Sequence, residues 1–200
     1  MCIRDRVHSL FQRVTAAAEG AALGTGTTVD FEVIHGLYNL LPNEALQRVV
    51  WEKLDQVGGV EYDERERRFA EAIRVSLPED APPLVSAGEV QPFGYVRTGM
   101  GSTDVADVSW MVPTAGLRTA TWVPGTAAHS WQAVAAGGTT IGTKGMMVAA
   151  KTLALAAVDL FTRPELLAAA TREHRERVGP DFVYRPLLGD RDPPLDYRRR

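Results

Sequence analysis

Cysteine is almost absent from this sequence, which contains a single one, Cys2, in 200 residues. One cysteine cannot form an internal disulfide framework or build a cysteine-rich zinc site. The scarcity agrees with a reducing compartment, so we expect a cytoplasmic protein. The first six residues, M-C-I-R-D-R, run directly into an amphipathic pattern and lack the apolar stretch of a signal peptide. We interpret these six residues as non-native.

Excess positive charge and long apolar runs are also missing. Lysine and arginine number 22 against 25 aspartate and glutamate residues, which gives a formal net charge of -3. No overall positive field therefore exists to hold a nucleic-acid backbone. The longest apolar run, 146–160, is interrupted by Lys151 and Asp159 and is shorter than the roughly 20 residues that span a bilayer. We expect neither a nucleic-acid partner nor a membrane-spanning helix.

Helical periodicity and helix caps are the strongest local signals in the chain. Asn43 can cap a helix, Asp63 with Glu66 has the spacing of a capping box, and Thr143 is a candidate cap for the longest helical region. That region, 142–161, is apolar on nearly every side, which is typical of a helix packed on two sides in a core. The predicted helices begin at Val7, Asn43, Asp63, Gly142 and Pro164.

Alternating patterns predict strands in two places. Residues 28–33 alternate between polar and apolar side chains, which is the period of a half-buried strand. A single strand cannot satisfy its own ladder hydrogen bonds, which indicates that partner strands belong to upstream sequence. Short apolar segments from Gly94 to Val123 are separated by glycine and proline turns and predict further short strands.

Histidine 129 is the first candidate for a ligand site. It lies among small residues in P-G-T-A-A-H-S-W, and a neutral imidazole is the commonest protein ligand for zinc-like metals. The alternative is a structural histidine whose hydrogen bonds are satisfied. His8, His35 and His174 show none of the H-x-D, H-x-H or H-E-x-x-H spacings. We interpret these three as surface residues, and His129 alone is kept as a candidate.

Two polar loops provide the other candidates. Asp104 and Asp107 follow a glycine-rich stretch, and one helical turn would point both carboxylates the same way. A capped turn after a strand is the alternative interpretation. Gly137, Gly138 and Thr139 precede the long helix, where exposed backbone amides can bind a carboxylate. A plain helix start is the alternative there.

Three motifs lie close together in the second half of the chain: G-S-T-D-V-A-D-V-S-W, P-G-T-A-A-H-S-W-Q and A-A-G-G-T-T-I-G-T-K-G-M. With the alanine-rich helix that follows, they resemble the carboxyl-terminal section of metallo-amidohydrolases of the aminoacylase and glutamate carboxypeptidase superfamily. The resemblance covers about residues 7–188, and the block 99–151 carries it.

An α/β fold is what this resemblance implies. The expected architecture is a partial zinc-peptidase-like catalytic domain, in which helices flank a mixed sheet. The last helix and strand of a ferredoxin-like lid, which is also the dimerisation domain, precede it. The implied divisions are the end of the lid at 1–40, the carboxyl-terminal part of the catalytic domain at 41–188 and an irregular tail at 189–200.

The resemblance also implies an activity: hydrolysis of the amide bond of N-acyl or N-aryl amino acids, such as p-aminobenzoyl-glutamate, at a centre of two zinc or manganese ions. It implies His129 as a metal ligand. It places Asp104 in a loop where many relatives have an acidic residue near the site. We therefore predict Asp104 as a substrate-binding residue, together with Gly137, Gly138 and Thr139 at the helix start. The implied partner is a second copy or a sister subunit, joined through the lid.

The remaining metal ligands and the glutamate general base of the superfamily precede residue 1 of this sequence. A metal-bound water needs several protein ligands and a base, so we expect the isolated chain to be inactive. Two alternatives belong to other classes of protein. One is a non-catalytic, dimerising partner subunit of such a hydrolase. The other is a small-molecule binding module that uses the glycine loop without chemistry.

Overall fold

A computed structural model describes residues 3–94, 101–188, 192 and 195. Within them the backbone forms seven α-helices and one short 3₁₀-helix. The helices are α1 (Ile3–Thr25), α2 (Glu44–Val57), α3 (Glu64–Arg74), α4 (Val105–Met111), α5 (Trp131–Gly137), α6 (Thr140–Thr162) and α7 (Pro164–Val178), and the 3₁₀-helix is Leu84–Gly88. The described residues divide into two compact units: 3–41, 101–112 and 177 onward form the first, and 42–94 and 113–176 form the second.

The helix predictions are confirmed where caps and periodicity agree. The Asn43 side chain accepts a hydrogen bond from the Leu46 amide at 2.9 Å and so begins α2. At α3, the Asp63 carboxylate accepts from the Glu66 amide at 2.8 Å, while the Glu66 carboxylate accepts from the Asp63 amide at 2.8 Å. This reciprocal pair is the predicted capping box, and it satisfies two amides that a helix start leaves open.

The predicted α/β fold is wrong for the described residues, which contain helices and irregular segments but no strand. Residues 28–33 carry the alternation that predicted a strand, yet Val29, Phe31 and Val33 are exposed and the segment has no ladder partner in this part of the chain. A period of two in the sequence describes where the side chains of an extended segment point. Such a segment forms a strand only when a neighbouring strand accepts and donates its backbone hydrogen bonds.

The short strands predicted between 94 and 123 are also wrong within the described residues. Residues 105–111 form α4, and 113–123 have no regular structure. Over four to seven residues, periodicity does not separate a strand from a short helix. Tyr95 and Val96, the first of the predicted strand segments, lie outside the described residues, as do Met1 and Cys2.

The division into a lid remnant (1–40), a catalytic part (41–188) and a tail (189–200) stays a prediction. So does the interpretation of residues 1–6 as non-native. Of the tail, the structure describes residues 192 and 195. The first unit contains an aromatic group around Tyr38, which is buried and lies 5.6 Å from Trp110 and 5.3 Å from Tyr184 between ring centroids.

The second unit is organised around α6, which packs against α2 and α5. Its core has two apolar clusters. One consists of Ala70, Ile73, Val123, Ala136 and Ile141, and the other of Val49, Val50 and Ala156. Because α5 leads directly into α6 and both pack together, the loop before α5 is held in place by this core. That loop carries His129.

Only one face of α6 is covered, so the prediction of a helix packed on two sides is wrong for the described residues. Ile141 and Thr152 are fully buried on the covered face, whereas Phe161 on the other face is 89% exposed. The helix also extends beyond the predicted range of 142–161, because it begins at Thr140 and ends at Thr162. By length and composition α6 is able to cross a membrane, a test that the core helices of soluble proteins also pass.

Two glycines bring α6 close to neighbouring backbone. A Cβ added to Gly145 would lie 2.5 Å from the carbonyl oxygen of Ala120, and one added to Gly142 would collide with the carbonyl oxygen of Gly137. Both glycines are buried. The small side chain at these positions is therefore a requirement of packing, since interiors at crystal-like density leave no room for an added methyl group.

The Gly145→Ala substitution should lower the free energy of unfolding by about 1–3 kcal/mol, because the added methyl group must push α6 away from Ala120. Gly20→Ala is the matched control, because no atom lies within 4 Å of a Cβ at that helical position; it should raise stability by roughly 0.5–1 kcal/mol. Thermal unfolding followed by circular dichroism measures both. Equal stability of Gly145→Ala and the parent would contradict the packing argument.

Candidate functional site

The backbone of His129 is unusual. Its φ is +60°, and it is the one non-glycine residue with positive φ among the described residues. Left-handed backbone costs a side chain of this kind about 1–2 kcal/mol, although histidine tolerates it better than branched residues do. Such backbone persists where the surrounding structure requires it, and it is concentrated at functional sites. The conformation makes His129 a stronger candidate than its sequence alone does.

An open cavity of about 570 Å³ lies beside this histidine. Its wall includes two indole rings, and Trp131 is 61% exposed. The lining residues are Trp122, His129, Ser130, Trp131, Ala133 and Val134. This lining offers an aromatic and aliphatic surface beside the polar side chains of His129 and Ser130, which suits contact with an apolar or aryl group.

Helix α5 fixes the geometry of this cavity. The Ser130 hydroxyl accepts a hydrogen bond from the Ala133 amide at 3.2 Å and donates to the carbonyl of Ala127 at 2.7 Å. Ser130 is therefore the N-cap of α5, and its two bonds hold the turn that presents His129. Neither tryptophan was among the predicted site residues. The available signal was Trp131 itself, two residues after His129 in H-S-W.

A half-buried tyrosine, Tyr62, contacts the backbone of Trp122, one of the lining residues. The Tyr62 hydroxyl donates to the carbonyl oxygen of Trp122 at 3.4 Å. Burial raises the pKa of Tyr62 to about 12, and the negative charge of Glu66 adds to the rise. Glu66 is only 3% exposed and forms an ion pair with Lys144 of α6, with 2.5 Å between carboxylate oxygen and ammonium nitrogen. This pair connects α3 to the start of α6.

The pKa of Glu66 is lowered by its partners. Burial alone would raise it, but hydrogen bonds from the side chains of Lys144 and Thr140 and from the Asp63 backbone, together with the Lys144 charge, outweigh burial. A carboxyl group whose pKa is lower in the folded state contributes stability at neutral pH and loses it as pH falls through the folded pKa. Acid should therefore weaken the ion pair between Glu66 and Lys144.

Gly137, Gly138 and Thr139 lie at the junction of α5 and α6, and none of them lines the cavity. Gly137 is the last residue of α5, so most of this helix separates the three residues from His129, with a rise of about 9 Å from Trp131 to Gly137. The Thr139 hydroxyl accepts from the Ile141 amide at 3.2 Å and donates to the Ala136 carbonyl at 2.6 Å. Substrate binding by these residues stays a prediction.

The predicted cap of the long helix is wrong. Thr139, not Thr143, is the N-cap of α6. Thr143 lies within the first turn, where its hydroxyl donates to the Thr139 carbonyl at 3.3 Å. The Ala136 carbonyl and the Ile141 amide both bind the Thr139 hydroxyl, which makes Thr139 the cap. The helix therefore begins one turn earlier than the predicted cap would allow.

The two aspartates belong to the first unit. A helical turn does form there, because α4 begins at Val105. Asp104 is exposed and its side chain makes no capping hydrogen bond. Asp107 is half-buried and accepts hydrogen bonds from the Tyr38 amide at 3.2 Å and the Tyr184 hydroxyl at 2.9 Å. Asp107 thus has a structural role, and binding of substrate by Asp104 stays a prediction. Gly99 and Met100 lie outside the described residues.

The donor set for a metal ion is incomplete in the part of the chain that the structure describes. No group of three or more histidine, cysteine, aspartate or glutamate side chains lies close enough there to hold an ion. A catalytic zinc site takes three protein ligands and an open position. His129 supplies at most one, so these residues by themselves do not fit a metal centre.

Comparison with known proteins finds a similarity to a hydrolase subunit. The chain is 33% identical over 194 residues to the B subunit of p-aminobenzoyl-glutamate hydrolase from Escherichia coli (strain K12), a match that covers 85% of this chain and 40% of the relative. The chain therefore spans less than half of the length of that relative. No protein-family profile matches the chain. No solved structure matches it either.

Replacing Glu66 with glutamine should lower the free energy of unfolding at pH 7 by about 1–3 kcal/mol, because Lys144 loses its buried partner. The parent should lose this contribution as the pH falls below the ordinary glutamate value of 4.5, whereas the stability of Glu66→Gln should fall less over that range. Urea unfolding between pH 7 and pH 3 measures the difference.

Glu64→Gln is the matched control on the same helix. Glu64 is highly exposed and pairs with Arg68 at the surface, so its removal should change stability by less than about 1 kcal/mol at every pH. The same pH profile for Glu66→Gln and the parent would contradict the role of the buried pair.

His129→Gly should be more stable than His129→Ala by about 1 kcal/mol, because glycine adopts positive φ without a steric penalty. At the neighbouring residue the order should reverse: Ala128→Gly should lower stability by roughly 0.4–1 kcal/mol, since glycine gains freedom in the unfolded chain. Chemical denaturation of the three variants gives the comparison. A less stable His129→Gly would show that the backbone there is not strained.

Proposed function

We propose that this chain is the carboxyl-terminal part of a metal-dependent amidohydrolase that cleaves the amide bond of N-acyl or N-aryl amino acids such as p-aminobenzoyl-glutamate. The observation that carries the proposal is the 33% identity, over 85% of this chain, to a protein named as a component of p-aminobenzoyl-glutamate hydrolase. Membership of the aminoacylase and glutamate carboxypeptidase superfamily is part of the same proposal. The cavity beside His129 supports it with a site of suitable composition.

His129 is proposed to contribute one ligand to a centre of two zinc or manganese ions. A single imidazole does not hold such ions. The other ligands and the general base would come from polypeptide that corresponds to the unmatched part of the relative, of which this chain covers 40%. The strained backbone at His129 supports a role beyond packing, because glycine would adopt this conformation at lower cost. The isolated chain would then be inactive.

The substrate class agrees with the wall of the cavity. Trp122 and Trp131 offer indole faces on which an aryl ring can stack. The start of α6, next to Gly138 and Thr139, carries the positive end of the helix dipole, which would attract the carboxylate of a glutamyl group. Asp104, which belongs to the first unit, remains a proposed substrate residue on the resemblance alone.

A partner subunit is also part of the proposal. The relative is named as one subunit of its hydrolase, which implies that it has a partner. We propose that the complete protein pairs with a second copy or a sister subunit through its lid, and that it works in the cytoplasm. The second candidate function is a non-catalytic partner subunit of such a hydrolase. The incomplete donor set of the described residues favours this alternative.

In the complete protein, His129→Ala should reduce bound metal and hydrolysis of p-aminobenzoyl-glutamate together, with a rate loss of at least about a hundredfold, because the centre loses a direct ligand. Metal content by elemental analysis and release of p-aminobenzoate measure the two effects. The control is His8→Ala, an exposed histidine on α1, which should change neither.

The same assays separate the two candidate functions. Unchanged turnover in His129→Ala would remove this histidine from the site. A complete protein that binds no metal and hydrolyses nothing, but stimulates a hydrolase subunit when the two are mixed, would favour the non-catalytic partner.

A further inference from the structure

Helix α6 has two apolar faces, and the second unit covers only one of them. Ile141, Thr152 and Ala156 are buried on the face toward α2 and α5. The opposite face carries exposed apolar side chains at the spacing of a continuous helical stripe. This stripe, the open face of α6, consists of Met146, Met147, Ala150, Leu153, Val158 and Phe161.

The open face is a continuous row of exposed apolar side chains rather than a scatter of single ones. Its side chains lie about half exposed or more, and Phe161 is almost fully exposed. Single exposed apolar residues are common, but contiguous apolar patches mark surfaces that another body covers. A helix that is apolar all round is buried either in protein or in a bilayer. The occupant of the open face must therefore be one of these two.

The charges around α6 argue for protein. Asp159 of α6 forms an ion pair with Lys53 of α2 at 2.8 Å, and Lys144 pairs with Glu66. If α6 crossed a bilayer, its neighbour α2 would enter the hydrocarbon with it, together with charged side chains such as Glu52 and Asp55. Charged groups at that depth are expensive. We therefore set the bilayer aside as the occupant.

We infer that the open face of α6 is the docking surface for the polypeptide that corresponds to the unmatched part of the E. coli relative. The larger part of that relative has no counterpart in this chain, which covers 40% of it. The inference rests on the proposed function, because it takes this chain as one part of a longer protein. The docked polypeptide completes the core that α6 begins.

The position of the open face gives the inference a functional consequence. Helix α5 packs on α6 and follows His129 directly. Polypeptide that lies on the open face is therefore anchored to the same core that holds the His129 loop. This common anchor would let residues from two distant parts of the sequence keep a fixed geometry, which a shared metal centre requires.

Cysteine labelling tests the docking surface. Leu153→Cys is made in the 200-residue chain and in the complete protein, with Glu79→Cys as the control in an exposed loop. The reaction of each new cysteine with a maleimide is followed by mass spectrometry of its peptide, and circular dichroism verifies the helical fold. Phe161→Cys, at the exposed end of the stripe, replaces Leu153→Cys should that variant fail to fold.

The expected result is rapid labelling of both cysteines in the 200-residue chain. In the complete protein, labelling of Leu153→Cys should slow by at least about tenfold, with Glu79→Cys unchanged. Equal rates for Leu153→Cys in the two proteins would overturn the inference. Protection in the 200-residue chain that grows with its concentration would overturn it in favour of a second copy, and protection that needs phosphatidylcholine vesicles would do so in favour of a bilayer.

Labelling does not depend on hydrolysis, so the two proposals fail separately. Protection of Leu153→Cys in a complete protein that hydrolyses nothing would leave the docking surface in place and remove the proposed activity. Hydrolysis without protection would retain the activity and overturn the docking surface.

Discussion

The contact of α6 with α2 and α5 is the constraint on which the larger unit depends. It buries Ile141 and Ala136 completely, and it requires glycine at 142, where the carbonyl oxygen of Gly137 approaches the helix. Glycine at 145 is required by the carbonyl oxygen of Ala120, in the irregular segment that also packs on α6. Since α5 is only seven residues long, it has little stability of its own. Its position, and that of the loop before it, comes from this packing. The geometry of the candidate site is therefore a property of the core.

The candidate site combines strain with support. His129 holds a left-handed backbone beside a cavity with two tryptophans. Trp122 is supported by Tyr62, and nearby the buried Glu66 forms an ion pair with the partly exposed Lys144. A rigid surround of this kind can keep one imidazole in place without a metal ion. The described residues around it supply no complete donor set for a metal ion.

Local patterns predicted the helices well because helix caps act within three or four residues. The hydrogen bonds at Asn43 and at the Asp63 and Glu66 capping box need no distant partner, so sequence was enough to find them. The alternating pattern at 28–33 could not by itself establish a strand, because a strand forms only beside a neighbouring strand. For the same reason the predicted mixed sheet is absent from the described residues, although the alternation of side chains is present in the sequence.

The site shows the same division between local and distant causes. By itself the sequence determined the helix starts, the apolar character of α6 on every side and the candidacy of His129, because each depends on residue type and spacing along the chain. Only the tertiary structure decided that Trp122 and Trp131 share a cavity with His129, that Thr139 caps α6, and that one face of α6 is left uncovered. These features depend on which distant segments meet, and side-chain burial is set by those contacts rather than by local periodicity.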